Sequence, residues 1–135
     1  MNRQILMAVA AIGLAATTSV NNALADELLF KGEHVFRNVC SSCHALPADN
    51  RNAVGPSLHA VVGRHAGRAP GYTYSSAMKD SNIVWTEEHL DGYLTSPQKY
   101  VGPIGYPPHK EVKMTFPGLK DPADRKAVIA FLKAN

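Results

Sequence analysis

The sequence has only two cysteines in 135 residues, Cys40 and Cys43, and they stand too close together to cross-link distant parts of a chain. A disulfide-held scaffold is therefore excluded. Charged residues make up 19 % with a net charge of +3, and no run of Lys or Arg occurs. That rules out a nucleic-acid binder acting through a basic stripe. Alternation of apolar and polar residues long enough for a sheet is missing, as are internal repeats and any linker that would separate two domains. Long helical stretches are scarce, because nine prolines and ten glycines punctuate the chain. Yet 45 % of the residues are apolar, which is ordinary for a globular protein and excludes intrinsic disorder. The length leaves room for one core.

What is there begins with a targeting pattern over residues 1–25. Arg3 and the amino terminus precede an apolar run, residues 5–16, broken only by Gly13. A mostly polar stretch follows, then Ala23-Leu24-Ala25 before Asp26. A positive start, an apolar middle and a small-x-small site are the order of a cleaved secretory signal. The run is too short for a spanning helix, which needs about 20 apolar residues. The expected mature domain is residues 26–135, and losing Arg3 lowers its charge to +2. Export implies a periplasmic or otherwise extracytoplasmic setting.

Helix signals concentrate at the two ends of the mature chain. Asp26 can cap a helix from Glu27, with Leu28, Val35, Phe36 and Val39 near one face. Asp121-Pro122 marks a second start, since Asp caps well and Pro suits the first helical position. Ala127, Val128, Phe131 and Leu132 then form a stripe to the C-terminus. Thr86 precedes Glu87 and Glu88, and this helix presents Leu90, Tyr93 and Leu94 before stopping ahead of Pro97. A short helix is expected around residues 75–79, with loops at 55–56, 63–71 and 101–108. Three helices joined by long loops make a poor core unless something else sits inside.

Cys40-Ser41-Ser42-Cys43-His44 is C-x-x-C-H, the attachment sequence of a c-type haem. Two thiols just past the first helix can add across the haem vinyl groups, and the adjacent His44 can supply a nitrogen ligand to iron. A thioredoxin-like redox pair needs a βαβ context that is absent. A structural zinc site needs four ligands, and no second Cys pair exists to complete a four-thiolate set. The sixth iron position has three candidates on residue type alone, Met78, His109 and Met114. A thioether there favours ferrous iron and suits an electron carrier, whereas an open position invites oxygen or peroxide chemistry. His34, His59, His65 and His89 read as exposed or locally bonded side chains.

A longer ordered set then emerges. It runs Gly32, Val35-Phe36, Cys40-x-x-Cys43-His44, Val54-Gly55-Pro56-Ser57-Leu58, Gly63-Arg64, Ala66-Gly67 and Gly71-Tyr72-x-Tyr74-Ser75. It continues through Ala77, Trp85, Leu90, Tyr93-Leu94, Pro97, Met114-x-Phe116-x-Gly118 and Phe131-Leu132-Lys133. Taken in order, these fragments resemble class I cytochrome c, the soluble cytochrome c and cytochrome c2 group, from about residue 27 to the end. The resemblance implies an all-α compact fold: three main helices, a short helix and long loops wrapped around one covalent haem. It implies His44 and Met114 as the axial pair, with the Pro56 carbonyl accepting from the other imidazole nitrogen. Arg64, Tyr74 and Trp85 are implied as partners of the haem propionates, and Tyr93 as a neighbour of the Met114 sulfur. Gly32 and Phe36 are implied to pack on Phe131 and Leu132. One departure stands out, because sixteen residues separate Pro97 from Met114. That is about twice the spacing the resemblance suggests for shorter members, and His109 falls inside it.

The expected function is one-electron shuttling by a soluble periplasmic carrier, not an enzyme, in a respiratory or photosynthetic chain. Implied partners are a quinol–cytochrome c oxidoreductase-type donor and an oxidase, photosynthetic reaction centre or reductase-type acceptor. No nucleic acid is expected, contact with a membrane surface is transient and through partners, and the protein is expected to be a monomer. Lys99, Lys110 and Lys113 flank the ligand loop and can steer docking to acidic patches. An electron-relay subunit of a larger complex, and a haem peroxidase or sensor, are the competing classes.

Overall fold

The computed structural model describes residues 21–48, 51–101 and 112–135. Helix α1 covers residues 21–35 and runs directly into a π-helical turn, Phe36–Cys40. Four further helices follow: α2 (Ser76–Lys79), α3 (Glu87–Thr95), α4 (Pro97–Val101) and α5 (Pro122–Lys133). Among the described residues the only strand-like pairing is an isolated bridge between His65 and Val84. The fold is all-α.

Three helix starts form where local chemistry dictates. The Ser75 hydroxyl accepts from the Met78 amide, Thr86 Oγ1 from His89, and Asp121 Oδ1 from Ala123 with Pro122 at the first helical position. The expected cap at Asp26 does not form. Helix α1 is already helical from residue 21, so Asp26 lies within it. Helix α4 is a second correction. Pro97 ends α3 by its restriction on the preceding residue, but the same proline opens α4.

Helices α1 and α5 cross at Gly32. A Cβ placed there would stand 2.1 Å from the Ala127 carbonyl oxygen and 2.6 Å from the Phe131 Cβ, so hydrogen is what lets the backbones approach. Next to the crossing, the Phe36 and Phe131 rings meet at 5.6 Å and 43°. Helix α3 packs on α5, burying Leu90, Tyr93 and Leu94 with Val128, Ile129 and Leu132 in one apolar core. On the outside of that contact Arg125 Nε bonds Asp91 Oδ1 at 2.7 Å. The Arg125 Nη1 also donates to the Leu119 and Lys120 carbonyls, which draws the end of residues 112–120, the strap, onto both helices. Gly118 adopts φ +101, a left-handed conformation that only glycine takes freely, and there the strap lies against the Thr95 carbonyl. The Leu119 amide closes the contact on Leu94 O at 2.7 Å.

Candidate functional site

The helices and loops enclose one large cleft of about 410 Å³. Its walls are mostly apolar and draw on distant parts of the chain: Val39 and Val54, Leu58 and Val61, Trp85, Leu90 and Leu94, Val128 and Leu132. The polar groups that reach it include the two thiols, the His44 ring, Arg64, Tyr74, Tyr93 and the Met114 sulfur, with Lys113 at its mouth.

The first wall is built by the turn after α1. A π turn holds one residue more than an α turn, and here the Ser41 amide reaches back to Phe36 O at 2.9 Å. That extra residue presents Cys40 and Val39 to the cleft, so Val39 sits at its rim and not on the buried face expected from periodicity. The amides of Cys43 and His44 both close on Cys40 O, at 3.0 and 2.9 Å, which fixes the C-x-x-C-H segment as a tight loop. Burial pushes the Cys40 thiol up to about 11, with the neighbouring Cys43 adding to the effect, so it is a neutral thiol at physiological pH.

His44 is held by the segment expected to hold it. Its Nδ1 lies 2.7 Å from Pro56 O, and as the donor there it leaves Nε2 free to act as a ligand. Burial lowers its pKa while the Pro56 bond opposes, so the ring is neutral, the form that binds a metal. Gly55 beneath it has no room for a side chain, since a Cβ would come within 2.5 Å of His44 Cε1. The loop is braced by Asn52, whose Oδ1 accepts from the Ser57 amide and whose Nδ2 donates to Pro70 O, each at 2.9 Å. Nothing in the sequence pattern marked Asn52, because its partners lie across two loops.

Met114 enters from the strap, and the Tyr93 hydroxyl donates to its Sδ at 3.4 Å. The Tyr93 ring lies 4.8 Å from that of Trp85, and burial raises the Tyr93 pKa well above its ordinary value. Arg64 is half-buried at the cleft, with its guanidinium held by Ser57 O at 2.8 Å and His59 O at 2.9 Å. Desolvation lowers its pKa, yet a guanidinium stays charged. The Tyr74 hydroxyl accepts from the Ala69 amide at 3.3 Å beside it. Cys40, Cys43, His44, Pro56, Arg64, Tyr74, Trp85, Tyr93 and Met114 thus all line one cleft. Met78 lines it too, buried in the core from α2. His109 and Lys110 lie outside the described residues. Lys113 is at the cleft mouth, its Nζ 2.6 Å from Thr73 O and 5.8 Å from the Tyr72 ring centroid.

This donor set fits a covalently held iron porphyrin. It offers two thiols at the rim, one oriented neutral imidazole, thioether sulfur and a broad apolar wall, with the Arg64 cation for carboxylates. No group of three or more His, Cys, Asp or Glu side chains gathers elsewhere among the described residues.

Comparison with known proteins agrees. The sequence model of the family described as Cytochrome c matches residues 30–135. Cytochrome c2 of Rhodopila globiformis is 45 % identical over 103 residues, which cover 76 % of this chain and 89 % of that one. Cytochrome c of Arabidopsis thaliana is 40 % identical over 103 residues, covering 76 % and 85 %. Among solved structures, cytochrome cH from Methylobacterium extorquens superposes with a TM-score of 0.68 at 38 % identity, covering 79 % of this chain and 98 % of that one.

Proposed function

The chain belongs to the cytochrome c family, and from that premise we propose a soluble periplasmic one-electron carrier with His44 and Met114 as its axial ligands. Like its family it carries one haem c, covalent through Cys40 and Cys43, and is an electron-transfer protein and not an enzyme. Bound there, haem supplies a one-electron couple at iron. The observation that carries the ligand assignment is the Tyr93 hydroxyl on the Met114 sulfur inside the cleft that His44 lines.

Each remaining residue has a part to play. Pro56 O fixes the orientation of His44 and strengthens its basicity. Tyr93 withdraws electron density from the thioether and holds its position. Arg64, Tyr74 and Trp85 serve the propionate edge, where the Arg64 charge offsets buried carboxylates. The apolar walls exclude water, so the surroundings reorganise little when an electron arrives or leaves. With His44 and Met114 both holding the iron, no position would be left open to peroxide or oxygen.

Export through cleavage after Ala25 and a periplasmic location are supported by the targeting pattern of residues 1–25. No described helix is long and apolar enough to cross a membrane. The partners proposed are a quinol–cytochrome c oxidoreductase-type donor and an oxidase, reaction centre or reductase-type acceptor. Lys99 and Lys113 place positive charge near the strap, where acidic partner surfaces can be steered in brief encounters.

One experimental series tests the reading. The oxidised holoprotein is expected to show a weak near-infrared sulfur-to-iron band that Met114→Ala abolishes. Transfer to acceptor-containing membranes is expected to slow as salt rises. Persistence of the band in Met114→Ala refutes the ligand assignment, and a rate insensitive to ionic strength refutes the docking charges.

A further inference from the structure

Helix α4 contributes one side chain whose work the haem motif does not explain. Gln98 is exposed on this short helix, and its Nε2 donates to two carbonyls at once, Val112 O at 2.9 Å and Met114 O at 2.8 Å. An amide nitrogen carries two hydrogens, so its whole donor capacity goes to one stretch of the strap. The base from which it acts is firm. Pro97 and Val101 are buried, and the Lys99 and Tyr100 amides close on Ser96 O. The Tyr100 ring fills the space over Gly92 while its hydroxyl meets His89 Nδ1 at 2.5 Å, which binds α4 to α3. Residues 102–111 separate α4 from Val112 in the sequence, so the bond to Val112 joins two segments that are distant along the chain.

We propose that Gln98 is the positioning residue for Met114, holding the ligand-bearing backbone against α4 so that the sulfur is not released from the cleft. This rests on the reading of Met114 as a ligand. A thioether is neutral and a weak partner for ferric iron, so its retention depends on the strap staying closed. Lys113 and Leu119 fasten the strap on either side of Met114, to Thr73 O and Leu94 O. Gln98 grips the carbonyl of Met114 itself. It also does so with a group that cannot replace the sulfur as a basic nitrogen ligand, because a carboxamide nitrogen does not titrate in water.

Cyanide binding to the ferric holoprotein tests this. Cyanide can occupy the sixth position only after the sulfur has left, so its apparent affinity scales with the open fraction. Gln98→Leu removes the amide, and Gln98→Glu keeps its shape but can only accept at neutral pH. Both variants are expected to bind cyanide about tenfold more tightly than wild type while keeping the near-infrared sulfur band in its absence. Glu87→Gln, which breaks the exposed pair with Lys133 elsewhere on the surface, is the control and is expected to leave both readouts unchanged. Cyanide affinity within about twofold of wild type in both Gln98 variants, with the band intact, overturns the proposal for Gln98 alone. A wild type without the band, and indistinguishable from Met114→Ala in cyanide affinity, overturns the ligand reading and Gln98's role with it.

Discussion

The His44 ring sits where it does because the residue beneath it is glycine. The Gly55 amide donates to Cys43 O at 2.7 Å, so this backbone cannot swing aside to admit a methyl group. A Cβ would meet His44 Cε1 at 2.5 Å and Nδ1 at 2.8 Å. Gly55 is not among the glycines with positive φ, so an alanine there costs contact and not backbone strain. The ring must tilt, and its bond to Pro56 O lengthens. Gly55→Ala is expected to lose about 1–3 kcal/mol, as overpacked sites do. It is also expected to raise the reduction potential, because a less basic imidazole stabilises ferric iron less. Thermal unfolding and a redox titration measure both, and an unchanged potential shows that the ring tolerates the methyl. The cysteines and His44 were legible as a motif because their spacing is local. The work of Gly55, Asn52 and Gln98 was not, because each acts on a partner distant in the chain or on a shape that composition does not record.

At the scale of elements, the crossing of α1 and α5 sets two opposing effects against each other at Gly32. Alanine in a helix interior is favoured over glycine by about 1 kcal/mol. Against this, the Cβ would lie 2.1 Å from the Ala127 carbonyl oxygen, a backbone atom that cannot turn away. Separating the helices also spoils the Phe36–Phe131 contact and costs up to about 3 kcal/mol. The clash wins. Gly32→Ala is expected to be less stable by about 2 kcal/mol, read as a lower denaturant midpoint with an unchanged slope. A gain in stability shows that the crossing has slack. The same scale explains which elements could be read beforehand. Thr86 and Asp121 announced α3 and α5 because a cap is a contract between neighbours in sequence. Pro97 signals a stop and a start equally well, which is why α4 went unread. The π turn Phe36–Cys40 has no residue signature at all, yet it is what aims Cys40 and Val39 at the cleft. Phe131, matched as a family fragment, meets Gly32 and Phe36 as that resemblance implied, while Ile129 joined the core unannounced.

For the molecule as a whole, the abundance of proline and glycine and the size of the cleft are one fact. The core in which the helices meet is also the wall of the cleft. Trp85, Leu90, Tyr93, Leu94, Val128 and Leu132 are buried against one another, but they also face an interior volume of about 410 Å³. Leaving that volume empty at about 24 cal/mol per Å³ costs on the order of 10 kcal/mol. The open mouth removes a share of the penalty, and the remainder still rivals the total stability of about 5–15 kcal/mol that a domain of this size possesses. Filled by the cofactor, the same apolar walls would be shielded from water. Attachment and folding are therefore expected to be one event. A Cys40→Ala, Cys43→Ala double variant cannot form thioethers, and removing haem from it is expected to abolish cooperative thermal unfolding and most of the far-ultraviolet helix signal. Haem added back is expected to restore part of the helix, since His44, Met114 and the apolar walls remain. A haem-free variant that melts cooperatively with its helix content intact would show instead that the α1–α5 crossing and the α3–α5 contact suffice alone, and that the cofactor occupies a preformed site.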